Sequence, residues 1–268
     1  MRRNIRLLIA YDGTEYHGWQ RQPELQTVQG MIEQAARRVL RHQVYSHGAG
    51  RTDAGVHAQG QVANLLTESD IPTGKLRHAL GGRLPKDISI RRLDEVAPGF
   101  HASRSALSKL YRYSIYNARA RPVDRLRNRY SYHFWQPLDL EAMRVAAEAM
   151  IGQHDFSAMA SKGSTKEDTV RTVSRIDVYR LFEEVFVDVE GSGFLYNQVR
   201  NMVGTLLEVG RGHWPPERVA EIMAGGDRTQ AGPTAPARGL CLQWVRYHPD
   251  DLTVEASVPP GPEPPGHP

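Results

Sequence analysis

The sequence predicts an α+β protein with mostly antiparallel sheets, built as two similar halves. Strands and helices are mixed along the chain without the regular strand–helix–strand alternation of a parallel sheet. Each half sets helices among its strands in a similar order. The length of 268 residues suits two domains, since a domain usually takes ~100–200 residues. The halves divide near residue 105, giving expected domains at 1–105 and 106–248. The hydrophobic share of 40% and charged share of 24% are those of a chain that can bury a core.

The elements follow from local pattern. NIRLLIA at 4–10 reads as a strand that enters the turn Asp12-Gly13. Val28, Met31, Ile32, Ala35 and Val39 recur at helical spacing after Thr27. Strands are expected at Val44–Ser46 and Gln61–Leu66, flanking a glycine-rich loop. Leu76, Ala79 and Leu80 mark a short helix ending at Gly81-Gly82, and Ile88 and Ile90 alternate as in a strand. In the second half, 108–117 alternates Tyr111, Tyr113 and Ile115 with Leu110, Arg112 and Ser114, a strand with one cationic face. Leu140, Met143, Ala147 and Met150 form a helix stopped by Gly152. Strands follow at 172–180 and 184–190, then a helix carrying Val199, Val203 and Leu206 up to Gly210. Pro215-Pro216 opens a further helix through Met223, and Leu240–Val245 is the last strand. The final stretch PPGPEPPGHP is too poor in apolar residues to fold, so 249–268 is expected to be a disordered tail.

Several function classes are excluded by inventory. A single cysteine, Cys241, rules out an internal disulfide and any Cys-cluster metal site, and it fits a reducing cytoplasm. The apolar run after MRRN is too short for a signal peptide. Nor does any apolar stretch approach the ~20 residues of a membrane span. Charge, by contrast, is informative. Arg104, Lys109, Arg112, Arg119, Arg121, Arg125, Arg127 and Arg129 face a single acid, Asp124, between His101 and His133. That field favours a polyanionic partner, although a solvated face is the plain alternative.

The segment GAGRTDAGVH at 48–57 concentrates glycine around one carboxylate, Asp53. It lacks the Lys-Ser/Thr pair of a phosphate-binding loop and the G-x-G-x-x-G that opens a dinucleotide site. His47, Asp53 and His57 match no standard metal spacing. A zinc deaminase needs paired cysteines, and a glycoside hydrolase needs a second carboxylate, which Val44–Thr67 lacks. Two readings stay open on the residues alone. Asp53 is an Asx-turn residue paired with Arg51, or it is a lone nucleophile held ionised by a nearby cation.

GAGRTDAGVHAQGQV resembles the signature loop of the tRNA pseudouridine synthase A family. Other segments resemble the same family in order: YDGTEYHGWQRQ at 11–22, FHA at 100–102, LYRYSIYN at 110–117 and VRNMVGTLLEVG at 199–210. The chain departs from the family where Ser103-Arg104 follows Phe-His-Ala and where Leu110 precedes Tyr-Arg-Tyr. The resemblance implies two similar domains whose sheets join around a central basic cleft, with helices on the outer faces. It implies that Asp53 attacks a uridine, that Tyr111 stacks on the extruded base, that Arg200 pairs with Asp53, and that Arg51 contacts RNA or helps flip the base. Arg21, Arg37, Arg38, Arg41, Arg104, Lys109 and Arg112 become candidate RNA contacts. The implied activity is isomerisation of uridine to pseudouridine at positions 38 to 40 of the tRNA anticodon stem-loop, by a cytoplasmic homodimer with no cofactor and no metal. Two rivals are a non-catalytic RNA-binding protein or RNA chaperone, which has no use for Asp53 with Arg200, and a hydrolase of the same bond.

Overall fold

Alternation in the first apolar run sets the frame of the sheet. In the computed structural model, which describes residues 2–161 and 168–252, strand β1 (Arg3–Tyr11) buries Ile5, Leu7 and Ile9 completely on one face. Leu8, one residue out of phase, packs against a second, smaller cluster with Val62, Phe100 and Tyr247. Helix α1 (Val28–Leu40) starts at Thr27, whose hydroxyl accepts the Gly30 N–H, and ends at Arg41 in the left-handed conformation. Its buried stripe is Val28, Ile32, Ala35, Ala36 and Leu40. Then come β2 (Ser46–Gly48), β3 (His57–Thr67), α2 (Thr73–Gly81) and β4 (Ile88–Val96).

The second half contributes β5 (Ala106–Tyr116), α3 (Arg125–Tyr130), β6 (Tyr132–His133), α4 (Leu140–Glu148), β7 (Gly152–Asp155), β8 (Val170–Leu181) and β9 (Glu184–Gly191). The chain continues through α5 (Gln198–Gly210), α6 (Arg218–Gly225) and β10 (Leu240–Tyr247). All ten described strands belong to one sheet, ordered β4-β1-β3-β10-β5-β9-β8-β7, with β2 added beside β3 and β6 beside β5. Every ladder is antiparallel except β3–β10 and β5–β6. The fold is therefore α+β on a mostly antiparallel sheet. Strands from the two halves occupy opposite sides of that sheet, and β10, from the end of the chain, lies between them. Its Cys241 and Leu242 pair with His57 and Ala58 of β3, while the same two residues pair with Arg112 and Tyr111 of β5. This junction brings the glycine-rich loop, which ends at β3, beside β5.

Helix α5 is buried at every residue except Arg200. A helix enclosed on all sides has no solvent face to turn toward, so its rotation is fixed by packing. Gly204 supplies the tightest contact: a Cβ there would lie 1.7 Å from the Pro233 carbonyl oxygen. The segment 231–236 lies directly on the helix because of it.

Three expectations need correction. The strand expected at 44–46 runs from Ser46 to Gly48, because Glu33 Oε1 accepts the Ser46 N–H at 2.8 Å and its hydroxyl at 3.1 Å and so fixes where the ladder begins. The expected tail begins too early. Pro249–Leu252 forms a short 3-10 turn, and Leu252 packs against the Phe100–Tyr247 cluster; the rest of the tail lies outside the described residues. The basic stretch also hides α3, which has no buried residue to betray it and is started by the Asp124 carboxylate accepting the Arg127 N–H at 2.7 Å.

Gly204→Ala is expected to destabilise the fold by about 1–3 kcal/mol, the usual cost of overpacking a filled interior. A lowered urea midpoint with an unchanged slope checks it.

Candidate active site

The loop at 49–56 is held from several directions. Ala49 N–H donates to Val62 O at 2.7 Å, and Gln61 Nε2 donates to Gly50 O at 2.9 Å. The Trp19 N–H donates to Thr52 O at 3.0 Å, the Gly55 N–H to Tyr16 O at 3.2 Å, and the Thr52 and Tyr11 hydroxyls meet at 2.7 Å. Gly18 makes this approach possible: its φ is +84°, and a Cβ there would stand 2.4 Å from the Thr52 oxygen. The YDGTEYHGWQ and GAGRTDAG segments are thus two halves of one packed unit.

This scaffold presents Asp53 to Arg200 across 147 residues of sequence. Arg200 Nη1 donates to Asp53 Oδ2 at 3.2 Å, with the two side chains only 16% and 19% exposed. The guanidinium is itself anchored, Nε donating to Ala235 O at 2.7 Å and Nη1 to Asn197 Oδ1 at 2.8 Å. Ala235 closes the exchange by donating its N–H to Arg200 O at 3.1 Å. Burial pushes the Asp53 pKa above its ordinary value, and the charge and hydrogen bond of Arg200 oppose that rise.

The two groups open into a cavity of about 80 Å³, which Arg51, Lys109, Tyr111 and Phe194 also line. Tyr111 is 6% exposed and meets Phe194 edge to face, with ring centroids 5.4 Å apart. Burial raises the pKa of its phenol, so it stays neutral. The cavity shares Gly50–Asp53, Lys109 and Phe194 with a groove of about 1010 Å³ whose other walls include His47, His101, Arg171 and Tyr196. A flat aromatic group held by Tyr111 would lie within reach of a buried, cation-paired carboxylate. A carboxylate and a guanidinium held this way have the chemistry of a nucleophile with its charge partner.

The structure therefore brings Asp53, Arg51, Tyr111, Arg200 and Lys109 together. The other candidate contacts lie outside the cavity and the groove. Arg112 points to the face of β5 opposite Lys109 and Tyr111, because strand side chains alternate. There it makes a bidentate pair with Asp188 at 2.8 and 2.7 Å and lies over the Tyr179 and Phe186 rings. Arg21 pairs with Glu33 at 3.5 Å and lies over the Tyr45 ring. Arg37 and Arg38 are exposed in the last turn of α1, and Arg104 is exposed beyond the groove. Within the basic stretch, Arg127 pairs with Asp124 and Glu184, and Arg129 with Asp12. Sequence reasoning missed Phe194, Asn197 and Ala235; only their closeness in sequence to Arg200 hinted at the first two. Among the described residues, no three or more His, Cys, Asp or Glu side chains are grouped to hold a metal ion. No described helix is long and apolar enough to cross a membrane.

The sequence matches the model of a family described as tRNA pseudouridine synthase over residues 7–103 and 146–248. It is 48% identical over 247 residues to the tRNA pseudouridine synthase A of Syntrophotalea carbinolica, covering 92% of this chain and 97% of that protein. The corresponding protein of Brevibacillus brevis is 47% identical over 246 residues, with 91% of this chain and 100% of the relative covered. tRNA pseudouridine synthase A 2 of Clostridium perfringens is 44% identical at coverages of 91% and 100%.

Arg112→Ala takes the guanidinium from the Asp188 carboxylate, 7% exposed, and leaves it the Tyr179 hydroxyl at 3.4 Å. The loss expected in a urea melt is on the order of 2 kcal/mol, below that of a fully buried pair because Arg112 is itself partly solvated.

Proposed function

The chain belongs to the tRNA pseudouridine synthase family, and from that premise we propose that it isomerises uridine to pseudouridine at positions 38, 39 and 40 of the tRNA anticodon stem-loop. The observation that carries the site assignment is the half-buried Asp53–Arg200 pair, open to a cavity walled by Tyr111. The enzyme is an isomerase that transfers a group within one molecule. Asp53, ionised beside Arg200, attacks the target uridine. The N1–C1′ bond breaks, the base turns within the site and the C5–C1′ bond forms. The bond from Asp53 to the substrate is then cleaved to return the carboxylate, the hydrogen at C5 leaves to solvent as a proton, and N1 takes up a proton. Atoms and electrons balance without an oxidant, a reductant or a second substrate.

Tyr111 holds the extruded base by its ring, with its own orientation fixed by Phe194. Arg51, at the mouth of the cavity, contacts the RNA or helps to displace the base. Unstacking a base costs a few kcal/mol, which phosphate contacts and stacking offset. Lys109 in the groove and the exposed Arg104 near it are offered for those contacts; Arg112 lies on the opposite face of β5, paired with Asp188. The protein works in the cytoplasm as a homodimer with one tRNA spanning both subunits. A purely RNA-binding role leaves unexplained why a carboxylate and a guanidinium are paired, largely shielded from water, at a cavity.

With tRNA carrying tritium at C5 of uridine, the enzyme is expected to release tritium to solvent. Asp53→Asn should bind the same tRNA and release none; substantial turnover by that variant would place the nucleophile elsewhere. Affinity should fall steeply with salt, and Lys109→Ala should lower the slope of log K against log salt by about one. A flat response would mean that these cations do not grip phosphate.

A further inference from the structure

Asn197 has an unusual position at the start of α5. It is the N-cap residue, yet its backbone is left-handed, with φ +60° and ψ +5°, and its side chain makes no capping bond. An asparagine at an N-cap ordinarily accepts a backbone N–H of the first turn through its side-chain oxygen. Here Oδ1 instead accepts from Arg200 Nη1 at 2.8 Å, and Nδ2 donates to the Ser161 hydroxyl at 3.0 Å. The amide orientation follows from its partners, since the reverse placement would set an NH₂ group against a guanidinium donor. Ser161 is itself tied down by its N–H, which donates to Tyr196 O at 3.2 Å.

Nη1 of Arg200 carries two hydrogens, and it makes two contacts: Asn197 Oδ1 and Asp53 Oδ2. Fixing one hydrogen on Asn197 leaves the other pointing at Asp53, while the Nε bond to Ala235 O stops rotation about the guanidinium axis. Building on the assignment of Asp53 as nucleophile, we propose that Asn197 is a positioning residue, whose amide oxygen orients Arg200 so that the guanidinium keeps the Asp53 carboxylate ionised. The left-handed backbone is part of this device. Asparagine tolerates that conformation better than most residues, and it turns the side chain away from the helix and toward the cavity, which Asn197 also lines.

The test reads the ionisation of Asp53 directly. The groups facing that carboxylate are Arg200 from α5, Arg51 on its own loop, and Lys109 and Tyr111 from β5. In protein labelled with 13C at aspartate carboxyls, the Asp53 resonance is identified by its loss in Asp53→Asn and followed through a pH titration. Asn197→Gly removes the amide and suits the left-handed backbone, whereas Asn197→Ala removes the amide and strains it. Both are expected to raise the Asp53 pKa by about one unit, a tenfold change in the ionised fraction below it. In an Arg200→Gln background, neither should raise it further. An unshifted Asp53 in Asn197→Gly overturns the proposal. So does a shift in Asn197→Ala alone, which would mark a backbone effect, or full additivity with Arg200→Gln. If Asn197→Ala does not fold, Asn197→Gly decides alone. Because the titration needs no turnover, the coupling can hold even if no tritium is released, which would sink only the reading of function.

Discussion

A carboxylate that is largely removed from water must either take up a proton or have a cation beside it. That constraint organises this protein. Asp53 sits on a loop of the first half and Arg200 on a helix of the second, and their 3.2 Å contact is formed only when both halves are in place. An ion pair this shielded is weak as a source of stability, since desolvation offsets much of the attraction. What it does is keep a cation beside the Asp53 carboxylate at a cavity that Tyr111 and Phe194 also line.

Much of the surrounding structure is explained as what keeps these two groups in register. Strand β10 pairs with β3 and with β5 through the same residues, so the loop before β3 and the tyrosine on β5 face each other. Gly18 lets the first turn of the chain press on Thr52, next to Asp53. On the other side, Gly204 lets the 231–236 segment lie on α5, so the Ala235 carbonyl can receive Arg200 Nε. The burial of α5 at every other residue removes the freedom of that helix to roll. Small residues at close approaches and one enclosed helix do the positioning, and the charged pair they position lines the cavity.

The alternation of NIRLLIA and the 3.6-residue stripe after Thr27 made β1 and α1 legible in the sequence, because each buries one face against the same core. The α3 helix was not legible: it buries nothing, so no periodicity marks it, and its start depends on one Asp124 cap. Asp53 stood out by its isolation among glycines, but its local pattern suited an ordinary turn equally well. Arg200 and Tyr111 entered only through resemblance to a known family, since nothing local links residues so far apart in sequence. The cationic face expected for 108–117 carries Arg112 between Leu110 and Ser114, and Asp188 on the neighbouring strand pairs with it. Lys109 faces the cavity, and Arg112 faces Asp188. Beyond its closeness to Arg200, nothing in the sequence marked Asn197, because a left-handed N-cap that serves another side chain leaves no compositional trace.

The dependence of Asp53 on Arg200 is tested most directly by single-turnover tritium release as a function of pH. With Asp53 as the proposed nucleophile, the rate is expected to fall as pH drops through its pKa, which burial raises above the usual carboxylate value. Replacing Arg200 with glutamine removes the opposing charge, and the acid limb should move to higher pH by about one to two units. An acid limb in Arg200→Gln that coincides with that of the unaltered enzyme would contradict the account.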